Sequence, residues 1–145
     1  MTSVVGVGLD VCPVDRMARA IERHGERFLR RIFLPEEIAY GRARGGRAPE
    51  SFAARFAAKE AVSKALGAPA GIGWHDVEIV AAVAGRRGPA VRLHGVALRA
   101  ASSCGVDRVL VSLTHADDVA AAVAVAVAGG AGAPLDDPDP RSTAP

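Results

Sequence analysis

The chain has 145 residues, the size of one compact domain that buries about two-thirds of the surface its unfolded form exposes. Its net charge is only +2, and its six aromatic side chains (Tyr40, Trp74 and four phenylalanines) are too few to stack nucleic-acid bases, so no nucleic-acid partner is expected. Cys12 and Cys104 have neither metal-ligand spacing nor a framework of pairs, so both are expected as reduced thiols of a cytoplasmic protein.

Val4 to Val11 is short, β-branched and glycine-containing, which predicts a buried strand ending at Asp10. With no basic region and an early carboxylate, this segment does not fit a signal peptide. Pro13 stops the strand. Apolar residues at 14, 17, 18, 20 and 21 predict a helix over Val14 to His24, followed by a second amphipathic piece at Phe28 to Phe33. Leu34-Pro35-Glu36-Glu37 places proline and two acids in a first turn, the start of a helix to about Arg44, which Gly45 to Pro49 breaks. Ser51 to Leu66, with ten apolar residues of sixteen, predicts a long helix that Gly67 and Pro69 end; a turn-rich loop then runs to Gly73. Val77 to Val83 and Ala90 to Leu93 read as strands joined by a hairpin-like turn at Gly85-Arg-Arg-Gly88-Pro89, and Leu98 to Cys104 as a helix. Arg108 to Thr114, with Val109, Val111 and Leu113 on one face, and Val119 to Val127 with its alternating valines complete four segments expected in one antiparallel sheet. The fold class expected is α+β, an antiparallel sheet packed on a long central helix. The longest apolar run, Val119 to Ala128, is about half of what a membrane-spanning helix needs, so no membrane partner is expected. Residues 129–145 hold four prolines and three glycines and are expected as a disordered tail after a domain of residues 1–128.

Sixteen of the eighteen basic residues are arginine; the only lysines, Lys59 and Lys64, flank Glu60 in the alanine-rich helix. Ammonium and guanidinium groups are not interchangeable, so an ammonium is expected to be needed at both places. A carboxylate on a helix that is alanine on nearly every side is costly to bury without a partner, and Asp10 at a strand end has the same difficulty. One reading brings Asp10 and Glu60 together around a hard divalent cation, with Mg2+ the best match, since it takes one or two carboxylates plus waters and phosphate oxygens. The other pairs Glu60 with Lys64 at i,i+4 and uses Asp10 to cap the helix after Pro13. Lys64 is correspondingly a phosphate clamp or a solubilising surface lysine. Val111-Ser112-Leu113-Thr114-His115 ends a strand with hydroxyls on one face and an imidazole at the tip, which suits a phosphate ligand or plain hydrogen-bonded structure. No nucleophile elbow accompanies Asp117, Gly6-x-Gly8 lacks the third glycine of a dinucleotide fingerprint, and His24, His75 and His94 lack zinc spacing. Residues 16 to 47 carry nine arginines against four glutamates, and Arg16 and Arg23 border Met17, Ile21 and Phe28. That pattern is either a solvated face or a docking seam for an acidic amphipathic helix.

In order and spacing, Gly6-Val-Gly-Leu-Asp10, Arg55-Phe-Ala-Ala-Lys-Glu60-Ala-Val-Ser-Lys64-Ala-Leu-Gly67 and Val111-Ser-Leu-Thr-His115 resemble the holo-acyl-carrier-protein synthases, the short trimeric type of the phosphopantetheinyl transferase superfamily. The likeness covers about Val4 to Ala128. It implies the phosphopantetheinyl transferase fold and transfer of 4′-phosphopantetheine from coenzyme A to a serine of an acyl carrier protein, with Mg2+ required and adenosine 3′,5′-bisphosphate released. By matching position, Asp10 and Glu60 would hold the metal and, with Lys64 on a phosphate oxygen, form the catalytic set. His115 would meet the 3′-phosphate of coenzyme A and Gly88-Pro89 its adenine, with Ser112 and Thr114 alongside. Arg16, Arg23 and Phe28 would dock the acidic carrier. The resemblance also implies a homotrimer with active sites between protomers, which would conceal exposed valine-rich strands, and a role in fatty acid synthesis. Cys12-Pro13-Val14 and an additional Ala-Pro after Gly67 depart from the family pattern without touching the metal site. Two alternatives from other classes are a non-catalytic adaptor that binds acidic helices and a metal-dependent hydrolase of nucleotides or coenzyme A.

Overall fold

Small side chains dominate the interior, and they determine how the layers meet. A computed structural model describes residues 1–82, 85 and 88–130. In chain order these form β1 (Ser3–Pro13), α1 (Val14–Ile32), α2 (Pro35–Arg42), α3 (Ala48–Ala65), β2 (Val77–Val80), β3 (Ala90–Leu93), α4 (Gly95–Ser103), β4 (Arg108–Ala116) and β5 (Val119–Ala128). Single 3₁₀ turns lie at Gly45–Arg47 and Trp74–Asp76. The arrangement is the expected α+β one, with α3 laid across an antiparallel sheet.

The four segments expected in one sheet divide between two. β2 and β3 pair with each other, whereas β4 and β5 join β1 in a three-stranded sheet of order β1-β5-β4. Alternation along β5 puts the alanines, not the valines, on the face beneath α3: Ala120, Ala122, Ala124 and Ala126 are all buried there. They meet Ala57, Ala58 and Ala61 of the helix, which are also buried, so helix and sheet approach closely.

β1 corrects the sequence reading in two ways. It runs past Asp10 to Pro13, and only one of its faces is covered. Val7, Leu9 and Val11 remain 61%, 61% and 55% exposed, and Leu110 of β4 is 52% exposed. A β-branched run announces a strand but not how many of its faces are covered. The covered face carries glycine instead. A Cβ on Gly8 would lie 1.8 Å from the Ala61 carbonyl oxygen, and one on Gly6 2.0 Å from that of Ala65, so the strand backbone rests directly on α3.

The two amphipathic pieces expected near the amino terminus form one kinked helix, α1, broken at Gly25 (φ 53°, ψ −137°). α2 ends at Arg42, before the Arg44 expected, and Pro49 opens α3 rather than merely ending its predecessor. No helix of the described residues is long and apolar enough to cross a membrane. The expected strand end at Val83, the arginines of the turn at 85–88 and the tail from residue 131 lie outside the described residues.

Candidate active site

Lys59 and Lys64 are five positions apart on α3, which turns them to different sides of the helix. Lys59 faces inward and is 2% exposed; its ammonium sits 2.9 Å from Glu37 Oε2 and donates to the carbonyls of Trp74 and Val77. Glu37, also 2% exposed, accepts from the backbone N–H of Leu34 at 2.8 Å and of Ile79 at 3.0 Å. The ammonium needed at position 59 is therefore structural, tying α2, α3 and β2 together. In the sequence Glu37 stands only as a first-turn acid; its place three residues after Leu34 lets the carboxylate reach back to that residue's N–H, half of a capping box.

Lys64 faces the other way, half exposed, and donates to the Leu9 carbonyl at 2.9 Å and to Asp10 Oδ1 at 3.1 Å. Neither structural alternative for the two carboxylates holds. Lys64 pairs with Asp10 rather than with Glu60, and no side chain caps α1 at Pro13. Glu60 is half-buried rather than enclosed, and among the described residues its carboxylate has no hydrogen-bond or ion-pair partner. Burial pushes its pKa above the ordinary value, the negative charge of Asp10 pushes it further, and Lys64 pulls it back. The structure thus gathers Asp10, Glu60 and Lys64 at the junction of β1 and α3, because Gly6 and Gly8 let the strand lie against the helix.

Among the described residues no three histidine, cysteine, aspartate or glutamate side chains form a closed metal cage. Two neighbouring carboxylates, Glu60 held above its ordinary pKa by burial and by the charge of Asp10, with one ammonium beside them, match a hard cation that completes its shell with waters and substrate phosphates. The donor set fits Mg2+.

A second feature lies toward the amino end of α3. An open cleft of about 290 Å3 is lined by Tyr40, Arg44, Arg47, Glu50, Arg55 and His115, together with Pro89 and Thr114. Arg55 is only 5% exposed; its guanidinium carbon stands 3.7 Å from the Tyr40 ring centre, with that of Arg44 4.3 Å from the same ring. Its Nη1 donates to Ser51 Oγ at 3.2 Å, but among the described residues its buried Nε has no partner. Glu50 Oε2 lies 3.4 Å from Arg47 Nε and 3.6 Å from His115 Nδ1. The cleft is thus strongly cationic, and of its lining the sequence reading gives a ligand role only to His115, Thr114 and Pro89. Gly88 adjoins it, exposed, whereas Ser112 is exposed on β4 opposite Val123 of β5 and does not line the cleft. Arg16 and Arg23 are exposed on α1, with Phe28 partly buried against the core.

Residues 6–124 match the family model of the 4′-phosphopantetheinyl transferase superfamily. A holo-[acyl-carrier-protein] synthase of Desulforudis audaxviator is 50% identical over 122 residues, covering 83% of this chain and 91% of that protein. One from Solibacter usitatus is 45% identical over 114 residues, covering 77% and 89%. Among solved structures, the holo-ACP-synthase of Plasmodium yoelii superposes with a TM-score of 0.75 at 26% identity over 90% of this chain and 99% of that one. The Helicobacter pylori holo-[acyl-carrier-protein] synthase, solved in complex with coenzyme A, gives 0.70 at 26% identity over 83% and 98%. Sequence motifs, fold and relatives agree, and the chain belongs to the holo-acyl-carrier-protein synthases of the 4′-phosphopantetheinyl transferase superfamily.

Proposed function

We propose that the chain transfers 4′-phosphopantetheine from coenzyme A to a serine of an acyl carrier protein in a Mg2+-dependent reaction that releases adenosine 3′,5′-bisphosphate. The observation that carries this reading is the convergence of Asp10, Glu60 and Lys64 from β1 and α3. Asp10 and Glu60 are the residues that would hold Mg2+, which when bound neutralises charge on the diphosphate. Lys64, fixed through Leu9 and Asp10, presents the rest of its ammonium to a phosphate oxygen. The serine oxygen bonds to the phosphorus next to the pantetheine arm, its proton passing to Glu60, Lys64 or a water at the site, while the bond to the bridging oxygen breaks and adenosine 3′,5′-bisphosphate leaves with that electron pair. Phosphoryl transfer of this kind needs positioning and fixed charge rather than a covalent enzyme intermediate.

The cationic cleft suits the adenosine half of the donor. His115, Arg44, Arg47 and Arg55 would receive the 3′-phosphate, Gly88 and Pro89 the adenine, and Thr114 the ribose side. Glu50 and Glu60, however, are ten residues apart on α3, ~15 Å along its axis. The 3′-phosphate and the diphosphate of coenzyme A hang on one ribose, too short a link to reach both places in one protomer. The cleft of one protomer would then complete the Asp10–Glu60 site of the next, in a homotrimer assembled through the uncovered face of Val7, Leu9, Val11 and Leu110. Ser112 on that face would reach the neighbour's donor. Arg16, Arg23 and Phe28 on α1 would dock the acidic carrier, in a cytoplasmic setting that serves fatty acid synthesis.

Mass spectrometry of an acyl carrier protein incubated with the chain, coenzyme A and Mg2+ tests the proposal. The carrier should gain one phosphopantetheine with the wild type and none with Asp10→Ala or Glu60→Ala. Near-normal labelling by either variant rejects the metal assignment, and hydrolysis of coenzyme A with an unmodified carrier rejects the transferase.

A further inference from the structure

Two guanidinium groups of the cationic cleft share one aromatic ring. The guanidinium carbons of Arg55 and Arg44 lie over Tyr40, 3.7 and 4.3 Å from its centre, so two like charges are held as neighbours. Arg55, from α3, is buried, whereas Arg44, four residues after Tyr40, is exposed. No nearby carboxylate answers them. Glu50, the one carboxylate among the described lining residues, is drawn to Arg47 at 3.4 Å, and Glu37, whose charge Arg55 also feels, is taken by Lys59 at 2.9 Å. Enclosing a cation in this way is costly unless something offsets its charge. Burial lowers the Arg55 pKa, Tyr40 and Glu37 raise it, and Arg44 lowers it again. Within the chain, the offset therefore comes mainly from the negative face of the Tyr40 ring. The buried Nε of Arg55, without a partner among the described residues, leaves donor capacity unmet.

Two adjacent planar forks match a phosphate monoester, whose dianionic charge and free oxygens both can share. Left to itself, an exposed arginine such as Arg44 samples many rotamers and is repelled by Arg55. Stacking on Tyr40 removes that freedom before a ligand arrives, so less ordering is left for the binding step. Resting on the reading of this cleft as the place of the donor's 3′-phosphate, we propose that Tyr40 is a positioning residue: its ring holds Arg44 and Arg55 side by side as a preformed receiver, and so sets the preference for donors that carry a 3′-phosphate. Tyr40 itself touches no phosphate in this arrangement. It acts through the two arginines, and only a donor with the 3′-phosphate feels its loss.

The test measures KM and kcat for coenzyme A and for 3′-dephospho-coenzyme A by carrier labelling, in the wild type, Tyr40→Leu and Tyr40→Phe. The wild type should favour coenzyme A by roughly 100-fold or more in kcat/KM, because the shorter donor leaves an enclosed cation unanswered. In Tyr40→Leu, KM for coenzyme A should rise roughly 10- to 30-fold, the weight of one desolvated cation–π contact, with kcat nearly unchanged. KM for 3′-dephospho-coenzyme A should stay within about 2-fold of wild type, since it makes no use of the receiver. Tyr40→Phe keeps the ring and should keep the preference to within about 3-fold. Calorimetric binding of adenosine 3′,5′-bisphosphate should weaken in Tyr40→Leu by the same factor as KM for coenzyme A, and that of adenosine 5′-phosphate should not. Tyr40→Gln supplies these readouts if Tyr40→Leu does not fold. Equal losses with both donors, or full preference retained in a folded variant without the ring, overturn the positioning role and leave the transferase standing. A wild type that uses both donors equally overturns the 3′-phosphate reading of the cleft and the inference with it. Absence of labelling with either donor overturns the transferase as well.

Discussion

Lys59→Met isolates the energetic weight of the inward-facing ammonium. The substitution keeps the length of the side chain but leaves Glu37 at 2% exposure without its counter-charge, and removes the donor from the Trp74 and Val77 carbonyls. Removing one member of a buried ion pair costs about 3–5 kcal/mol. Glu37 keeps its bonds from Leu34 and Ile79 and can take up a proton, so the lower half of that range is expected. At ~2–4 °C per kcal/mol for a chain of this size, Tm should fall by about 10 °C. In the variant an enclosed carboxylate without its counter-charge penalises the ionised form of the folded chain, so stability should rise on acidification. The deficit should accordingly shrink on acidification. Adding Glu37→Gln should recover part of the loss by removing the orphaned charge. Lys64→Met, which breaks a half-exposed pair, should cost less than about 1 kcal/mol. Urea unfolding at one protein concentration, with several pH values, measures all of these. A Lys59→Met cost no larger than that of Lys64→Met, with no pH dependence, would refute the argument.

Glu60→Gln should abolish carrier labelling yet leave the metal-free chain as stable or more stable at pH 8, because the folded state disfavours the ionised carboxylate; thermal melts from pH 4 to 8 should show a gap that closes toward acid pH and narrows when Mg2+ is added to the wild type. Gly8→Ala must push β1 off α3 to relieve a contact of 1.8 Å, so it should lower both stability and kcat/KM by at least tenfold, and a variant indistinguishable from wild type would remove the close-approach explanation. Arg16→Glu should raise KM for the carrier far more than KM for coenzyme A, with the difference fading at high salt; equal effects on both would rule out docking at α1. Leu9→Glu places a charge in the uncovered apolar face, 61% exposed in the single chain, and should convert an assembled species to monomer in analytical ultracentrifugation, whereas an unchanged mass would place the interface elsewhere.

The sequence was informative where pattern and chemistry are local. Proline and glycine marked the ends of the long helix, the scarcity of lysine led to α3, and the isolated carboxylates at 10 and 60 drew attention to the pair that meets. What it hid depends on rotation and on distant pairing. α3 is alanine on so many sides that no polar stripe reveals which lysine turns inward, so Lys59 and Lys64 looked alike although one is enclosed and the other is at the site. The same uniformity concealed Arg55, whose buried guanidinium braces the cationic cleft. Pairing of β1 with β5 joins residues more than a hundred positions apart, which no local alternation encodes, and so the sheet was drawn without its first strand.

The alanine layer between α3 and β5 has a consequence for redesign. Alanine has no rotamers to exchange, so the helix is seated by backbone contour alone, and a single bulkier residue at Ala57, Ala61, Ala122 or Ala124 would lift it bodily. The sheet side of the helix is thus a fixed anvil, and substitutions that leave the strand and helix in register must fall on its other faces.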